Sequence, residues 1–181
     1  KGGAYFDILS YHSYPHIQGL RDWNNDTQQF DYRRHSDSAV DDLYVQQDNF
    51  TDVLANYGYD GNTFPEKKII CTETYLPRSP SPGYIGSDAA QKNYVMKAFI
   101  EAPAQDCDQI CVYNLGEAAF AGQHSHAFNS MGVYHNLAET TPYNQVVYEG
   151  GQAFKTCATL LEGATFDSLY SEELGHDENH A

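Results

Sequence analysis

The sequence predicts an α/β fold in which parallel strands alternate with helices, and three observations lead to this prediction. Short apolar runs occur at residues 5–11, 68–74 and 108–115. Each run is followed by a polar loop and then by a segment with apolar residues at helical spacing. No internal repeat or low-complexity tract interrupts this order. Such βα units place a ligand site beyond the carboxyl ends of the strands.

The first predicted unit joins the strand at residues 5–11 to a long helix. The strand leads into residues 12–15, which read His-Ser-Tyr-Pro, and a polar loop follows. Ser36 or Ser38 is expected to cap the helix, because a serine hydroxyl accepts a hydrogen bond from the first helical turn. Gly58 is a suitable end signal for that helix.

The second predicted unit begins with the strand at residues 68–74. This short continuous apolar run is typical of a strand that is buried on both faces. A loop rich in proline and serine follows, and Ser87 is expected to cap a helix that runs to about Ala102.

The third predicted unit begins with the strand at residues 108–115. A long loop then extends to Thr141, and Pro142 is expected at the first position of the last helix. That helix is predicted to end near Leu161, with Gly163 as its stop signal.

The composition favours a globular protein that does not bind nucleic acid and has no membrane span. The chain has 181 residues, 41% of them hydrophobic, and a formal net charge of -15. Nucleic-acid binding requires clustered Lys and Arg, and a membrane-spanning helix requires an apolar run of about 18 residues. Neutral ligands such as carbohydrates are compatible with this charge.

Two features favour a secreted, extracellular glycoprotein. Asn25 and Asn49 each begin an N-glycosylation acceptor pattern. Two disulfides with three possible connectivities are expected from the four cysteines, which are Cys71, Cys107, Cys111 and Cys157. The alternative is that the acceptor patterns occur by chance and that the cysteines are small core residues. Because the chain starts without an initiator Met or a signal peptide, we expect a processed product or an internal piece.

Each predicted strand ends in polar or aromatic side chains. The residues concerned are His12, Tyr14, Glu73, Tyr113, Asn114 and Glu117. An unpaired buried carboxylate costs several kcal/mol, so Glu73 either reaches solvent or is held in place for chemistry. The carboxyl ends of parallel strands meet at one edge of a sheet, and the pattern therefore indicates a site built from three strand ends.

These strand ends resemble a known enzyme family. The stretches DILSYHSYP, IICTETYLP and CVYNLGE, in that order, resemble the last three strands of a clan A retaining glycoside hydrolase. The stretch MGVYHNLAETTPYNQVVY is similar to the segment that enters the final helix of such enzymes. The resemblance implies that residues 1–162 form the C-terminal portion, strands six to eight, of a (β/α)8 TIM barrel. Residues 163–181 would be a linker or the start of a following β-domain.

The resemblance implies that Glu73 is the catalytic nucleophile and that His12 and Tyr14 support it. Hydrogen bonds from an imidazole and a phenol would favour the ionised carboxylate. A retaining mechanism also needs a second carboxyl group about 5–5.5 Å away to protonate the leaving oxygen. The family's strand-four Asn-Glu pair has no match in this chain. We therefore expect the acid/base in an upstream half of the barrel, or in a partner chain, that completes the fold.

Substrate-binding roles follow from the same resemblance, because aromatic faces stack on sugar rings. The expected substrate-binding residues are Tyr11, Tyr75, Tyr113, Asn114, Glu117, His124 and His126. No acidic residue lies at metal-ligand spacing from the two histidines, so neither a metal nor a cofactor is expected. The sequence departs from the family at Tyr113, where a Trp is usual.

The function predicted from the resemblance is secreted hydrolysis of an O-glycosyl bond in a polysaccharide or glycoconjugate. The alternative is a non-catalytic extracellular subunit with a glycosidase-like barrel, acting in carbohydrate binding or structural assembly. The missing Trp and the missing acid/base leave room for this alternative. A half-barrel that pairs with itself or with another chain is a third possibility.

Overall fold

The computed structural model describes residues 2–15, 21–32, 35–81, 86–117, 126–136 and 146–166. Five strands lie within these residues: β1 (Ile8–Ser13), β2 (Arg21–Asn24), β3 (Gln29–Tyr32), β4 (Lys68–Thr74) and β5 (Gln109–Val112). The α-helices are α1 (His35–Asn56), α2 (Asp88–Glu101) and α3 (Glu149–Leu160). Short 3-10 helices occur at Gly3–Tyr5 and Ala127–Ser130. The predicted α/β class is confirmed.

The main sheet contains β1, β4 and β5, in that order, and both neighbouring pairs are parallel. Strands that follow one another along the chain are therefore neighbours in the sheet. The three helices pack in one layer, because α2 contacts both α1 and α3. Tyr11 of β1 donates to the backbone oxygen of Leu43 in α1, so this layer covers one face of the sheet. Among the described residues, helices therefore cover only one face of the sheet.

The core lies between the sheet and the helix layer. Tyr11 and Cys71 on the strands are buried against apolar side chains of α1 and α2. Leu43 and Val95 are among the helix residues that are completely covered. The Tyr44 hydroxyl in this core bonds the carbonyl of Ala98, whereas the Tyr75 hydroxyl and Gln91 Oε1 are buried without a hydrogen-bond partner among the described residues.

The other face of the sheet is open. Ile8 is 50% exposed, and Ser10 and Gln109 on the same face are also exposed. Ile70 is only partly buried, although the apolar run at 68–74 predicts burial on both faces. No described element packs on this side of the sheet. No element in the described part of the chain therefore covers the apolar side chain of Ile70.

Several element boundaries agree with the sequence prediction. Strand β4 has the predicted bounds, Lys68–Thr74. Ser87 caps α2 as predicted, with its hydroxyl accepting from the backbone N–H of Ala90 at 3.0 Å. Gly58 and Gly163 both adopt positive φ beyond the ends of α1 and α3, as helix-terminating glycines commonly do.

The prediction that α3 begins at Pro142 is wrong. Tyr148 is extended and α3 begins at Glu149. Val147 forms a β-bridge with Tyr134, which commits this stretch to backbone pairing before the helix starts. Pro142 itself lies outside the described residues.

An antiparallel hairpin of β2 and β3 occupies the region predicted as a polar loop. Its turn is held by Asn24, whose side-chain oxygen accepts from the backbone N–H groups of Asp26 and Thr27. Asn and Asp in succession are a turn signal. The flanking strands lack the apolar alternation from which strands are recognised, so the sequence does not predict them.

The predicted disulfides are absent, and all four cysteines are free. Cys71, Cys107 and Cys157 are buried, which agrees with the alternative that they are small core residues. The Cys71 thiol donates to the carbonyl of Glu73. Burial raises its pKa to about 12, so it remains a protonated thiol at neutral pH.

Within the described part of the chain, none of the helices combines the length and the apolar character needed to cross a membrane. This agrees with the expectation from the sequence that no apolar run spans a bilayer.

Candidate active site at the strand ends

An extra residue in β4 determines where Glu73 points. Tyr11 pairs with Cys71 but His12 pairs with Glu73, so β4 carries one more residue than β1 at this place. The same irregularity appears against β5, between Cys71 and Thr74. Strict alternation would put Glu73 on the helix-covered face beside Cys71. Thr74 occupies that face instead, and its hydroxyl bonds the buried Tyr94 hydroxyl.

Glu73 is therefore released from the core at the carboxyl end of its strand. Its side chain is 37% exposed. β-Bulges often re-aim side chains beside active sites, although they are rare in parallel pairs. A carboxylate in this position can accept hydrogen bonds from the neighbouring strand end and still face a ligand.

His12 and Tyr14 both approach the same oxygen of Glu73. The Tyr14 hydroxyl donates to Oε2 at 2.5 Å, and His12 Nδ1 lies 3.4 Å from Oε2. The structure thus brings together the three residues that the sequence predicts as catalytic. Both contacts are made to Oε2, which leaves Oε1 as the oxygen available for reaction among the described contacts.

The hydroxyl of Tyr14 is protonated at ordinary pH and donates to Glu73. Burial raises the pKa of Tyr14 well above its usual value of 10, and the hydrogen bond to Glu73 raises it further. The ionised Tyr14 would place a second negative charge beside the carboxylate. The phenol therefore stays protonated and supports a negatively charged Glu73.

Three aromatic rings meet beside this carboxylate. The Tyr14 ring packs edge-to-face against Phe128, with ring centres 4.6 Å apart, and against Tyr113, at 5.8 Å. Tyr113 and Phe128 also contact each other, at 5.6 Å. The ring of His126 stacks on Phe128 at 5.1 Å with an angle of 13° between the planes. Tyr113 and His126 were expected at the site, whereas Phe128 was not.

Asn114 contributes mainly through its backbone. Its N–H donates to the carbonyl of Met131 at 2.7 Å, and its carbonyl accepts from Val133 at 2.8 Å. The peptide bond between Tyr113 and Asn114 is cis. The side-chain oxygen of Asn114 accepts from the backbone N–H of Leu115. These bonds attach residues 126–136, which carry Phe128, to the end of β5.

Glu117 was expected to contact substrate, but it is only 4% exposed. Arg78 Nε donates to Oε1 at 2.6 Å and Arg78 Nη2 to Oε2 at 2.9 Å. The Tyr148 hydroxyl also donates to Oε2, at 3.1 Å, and bonds His135 Nδ1. Both carboxylate oxygens are therefore occupied, and Glu117 joins loops instead of facing a ligand.

The charges in this cluster reinforce one another. Burial acts to lower the pKa of Arg78, but the hydrogen bond to Glu117 and the charge of Glu117, with smaller contributions from Tyr148 and Asp88, together outweigh burial and the pKa is raised. Burial raises the pKa of Tyr148 to about 12, with the charge of Glu117 adding to the effect. The guanidinium also lies 4.1 Å from the centre of the Tyr148 ring. The sequence contains no local signal for this cluster, because Arg78 and Glu117 lie in different loops.

Two other tyrosines expected to bind substrate belong to the core, and these expectations are wrong. Tyr11 is 5% exposed, and its hydroxyl donates to Leu43 and to the Gln47 side chain on α1. Tyr75 is completely buried, and its hydroxyl oxygen lies near Gly150 of α3. Both face the helix layer. His124 lies outside the described residues.

The two glycosylation acceptors lie in different backbone settings. Asn25 is exposed in the turn between β2 and β3, whereas Asn49 is exposed in the interior of α1. The hydroxyl of Thr51, which completes the second acceptor, bonds the carbonyl of Gln47 one helical turn earlier. Glycosylation of Asn25 and Asn49 stays a prediction.

No cluster of three His, Cys, Asp or Glu side chains suited to a metal ion occurs among the residues that the structure describes. A cleft of about 770 Å³ lies away from Glu73, at the opposite ends of the strands. It is lined by Lys68 and Asp108 at the starts of β4 and β5 and by Leu54 of α1. In βα barrels this end contributes stability, whereas reaction chemistry lies at the carboxyl end.

No family model matches the chain, and no curated protein matches it. Among solved structures, the chain is similar to a β-glucuronidase from Bifidobacterium dentium complexed with coumarin-3-O-glucuronide, with 16% identity and a TM-score of 0.49. This match covers 85% of the chain and 21% of that protein. A second is the glycoside hydrolase family 17 β-1,3-glucanosyltransferase from Rhizomucor miehei, with 13% identity and a TM-score of 0.41. It covers 71% of the chain and 39% of that protein.

Proposed function

We propose that this chain is the nucleophile-bearing part of a retaining glycoside hydrolase. The observation that carries the proposal is the convergence of Tyr14 and His12 on one oxygen of Glu73 at the carboxyl ends of parallel strands. A carboxylate that is partly exposed and bonded by a protonated phenol suits attack on an anomeric carbon. The sequence resemblance to clan A enzymes supports the same role.

The reaction proceeds by double displacement. Glu73 attacks the anomeric carbon, the bond from that carbon to the glycosidic oxygen breaks, and an ester joins the sugar to the enzyme. A carboxylic acid outside this chain protonates the departing oxygen. The same group, now a carboxylate, takes a proton from water as the water oxygen attacks the anomeric carbon and releases Glu73. Tyr14 stabilises the carboxylate before attack and after release.

We also propose that the sheet is one arc of a (β/α)8 barrel. The single layer of helices on one face supports this, because a doubly wound sheet would have helices on both faces. In a closed barrel the open face that carries Ile8 and Ile70 becomes the packed interior. The remaining strands, from an upstream segment or a partner chain, would also pair the outer edges of β1 and β5.

Secretion is a further proposal. The exposed turn position of Asn25 supports it, because an acceptor in a turn is accessible to a glycosylating enzyme. Endoglycosidase treatment of the native protein, followed by peptide mass analysis, tests for a glycan at this residue. Detection of an unmodified Asn25 in every molecule would count against secretion through the glycosylating pathway.

Covalent trapping tests the catalytic proposal. The native full-length polypeptide is incubated with 2-deoxy-2-fluoroglycosyl fluorides of gluco, manno and galacto configuration. The attacking carboxylate displaces fluoride and forms a slowly hydrolysed ester, which peptide mass spectrometry locates. We expect the label on Glu73, its loss in Glu73→Gln, and its retention in Glu66→Gln, since Glu66 is exposed near the opposite strand ends.

The outcome also separates the enzyme from its non-catalytic alternative. A label on another carboxylate would overturn the assignment of Glu73. Absence of any label, together with retained binding of oligosaccharides, would favour a carbohydrate-binding subunit. The trapping measurement depends on chemistry at Glu73, whereas binding does not.

A further inference from the structure

Beside Glu73, a flat surface is built from two rings that stack on each other. We infer that His126 and Phe128 form a preformed platform for a neutral pyranose next to the nucleophile. This inference deepens the proposed function and rests on it for the position of the reacting sugar. The family resemblance does not imply a role for Phe128, and its place in the platform is inferred from its ring contacts alone.

The rings of Phe128 and His126 differ in their exposure to solvent. Phe128 is partly buried and packs edge-to-face with both Tyr14 and Tyr113. His126 covers Phe128 with nearly parallel planes and is itself exposed. The imidazole ring of His126 is therefore accessible to solvent while it stacks on a ring of the aromatic cluster. A flat exposed ring is the surface on which the C–H face of a sugar packs.

Hydrogen bonds and buried neighbours hold the platform in place. His126 caps the 3-10 helix Ala127–Ser130, since its Nδ1 accepts from the backbone N–H of Phe128 at 3.4 Å. With Nδ1 accepting, the neutral ring carries its proton on Nε2 and can donate to a sugar hydroxyl. Ala127 and Ser130 are buried, and the backbone N–H of Arg78 donates to the Ser130 carbonyl at 2.9 Å. The platform thus needs little reordering on binding, which favours affinity.

The charged side chains near the platform select the class of ligand. Arg78 is the only arginine between β4 and α2, and its guanidinium is already paired with buried Glu117. Tyr14, which packs against Phe128 of the platform, donates a hydrogen bond to the carboxylate of Glu73. Within the part of the chain whose side chains the structure describes, a uronic acid or a sulfated sugar would meet this carboxylate, and the guanidinium of Arg78 is already engaged by Glu117. The platform therefore suits a neutral pyranose with equatorial substituents, because its axial C–H bonds form flat apolar faces.

The test measures binding without turnover. The full-length Glu73→Gln variant is titrated by calorimetry with cellohexaose, laminarihexaose, mannohexaose and an oligogalacturonate of similar length. We expect at least one neutral hexasaccharide to bind and the oligogalacturonate to bind at least tenfold more weakly. The sugar's C–H protons should give saturation-transfer NMR signals on binding, as expected for contact with a protein surface.

Two substitutions at one position separate the ring from the cap. His126→Asn keeps a side-chain acceptor for the cap but removes the ring, and we expect about tenfold weaker binding of the neutral hexasaccharide. His126→Trp keeps a flat ring and loses that acceptor, and we expect binding within about threefold of the parent. Tyr57→Ala, at an exposed position just after α1, is the control for unspecific loss of an aromatic residue.

Each outcome has a definite meaning. Equal binding by parent and His126→Asn would overturn the platform, and so would tighter binding of the acidic oligosaccharide or no binding of any neutral one. A covalent label on Glu73 with unchanged binding in His126→Asn would retain the catalytic proposal and reject the platform. Weakened binding in His126→Asn without a covalent label would reject catalysis and retain the platform.

Discussion

Arg78 donates two nearly parallel hydrogen bonds to Glu117 and so joins the segment after β4 to the segment after β5. The side chains are 19% and 2% exposed, which places the ion pair largely out of water. A bidentate guanidinium–carboxylate contact is both strong and directional. The same arginine holds Ser130 through its backbone N–H, so one residue connects three loops at the candidate site.

We predict that Arg78→Met lowers the free energy of unfolding by about 3–5 kcal/mol, because it leaves a buried carboxylate unpaired. Urea unfolding of the full-length protein measures the change. The double variant Arg78→Met/Glu117→Leu should cost less than the sum of the two single changes. Lys92→Met breaks an exposed ion pair with Glu149 and should cost less than about 1 kcal/mol. Additive effects at Arg78 and Glu117 would contradict the coupling.

Gly150 supports a close approach between α3 and the core. A Cβ at this position would lie 2.4 Å from the Tyr75 hydroxyl and 2.7 Å from Gln91 Oε1. Gly150→Ala should therefore destabilise the protein by about 1–3 kcal/mol, although alanine normally favours a helix. Thermal unfolding measures the loss. Tyr75→Phe in the same chain should recover part of it, and Gly2→Ala, which meets no atom within 4 Å, should change nothing.

Tyr14→Phe removes the donor to Glu73 and keeps the ring that packs on Phe128. A hydrogen bond to a charged group contributes about 1.5–3 kcal/mol, so kcat/KM on a reactive aryl glycoside should fall about 10- to 100-fold. Steady-state kinetics on the full-length protein measure this. The melting temperature should change little, and Tyr59→Phe at the other end of the sheet serves as control. Unchanged kcat/KM would remove Tyr14 from the mechanism.

Glu101 gives a pH-dependent prediction. Burial raises the pKa of this carboxyl, Asp41 raises it further, and Lys97 opposes the shift. A raised folded-state pKa means that the ionised group destabilises the fold at neutral pH. The penalty disappears as the pH falls below the unfolded-state pKa of about 4.3. Glu101→Gln should therefore raise the melting temperature at pH 7, with a gain that shrinks towards pH 4.5.

The matched control for Glu101 has the opposite expected sign. Glu149 lies in the first turn of α3, where a negative charge is favourable, and pairs with Lys92 at 2.7 Å. Glu149→Gln should lower the melting temperature slightly at pH 7. A gain for Glu101→Gln that is equal at pH 7 and pH 4.5 would mean that the carboxylate charge is not its cause.

The sequence predicts well what depends on neighbouring residues. The bounds of β4 follow from a continuous apolar run, and the Ser87 cap follows from a serine before a helical pattern. The meeting of His12, Tyr14 and Glu73 follows from the rule that parallel strands end at one edge of their sheet. Local sequence carries the first two features, whereas the third joins residues 59 apart and follows from the parallel order of the strands.

What the sequence does not predict depends on distant contacts. Tyr75 follows Glu73 directly, yet it is buried under Gly150, and only the packing of α3 decides this. Glu117 reads as a loop acid until Arg78 is brought to it from another loop. Phe128 has no sequence feature that distinguishes it from other phenylalanines, and its role depends on three rings from separate segments.

The extra residue in β4 has a consequence for how this site can change over evolutionary time. The register of the strand, set by its length between Cys71 and Thr74, decides which residue faces outward. Exchanging Thr72 for another side chain leaves that register intact. Deleting Thr72 would restore strict alternation, with Cys71 still facing the helices and Glu73, now its direct neighbour, still facing outward. A substitution at position 72 and the loss of its codon can therefore both vary the surroundings of Glu73 without turning the carboxylate into the core.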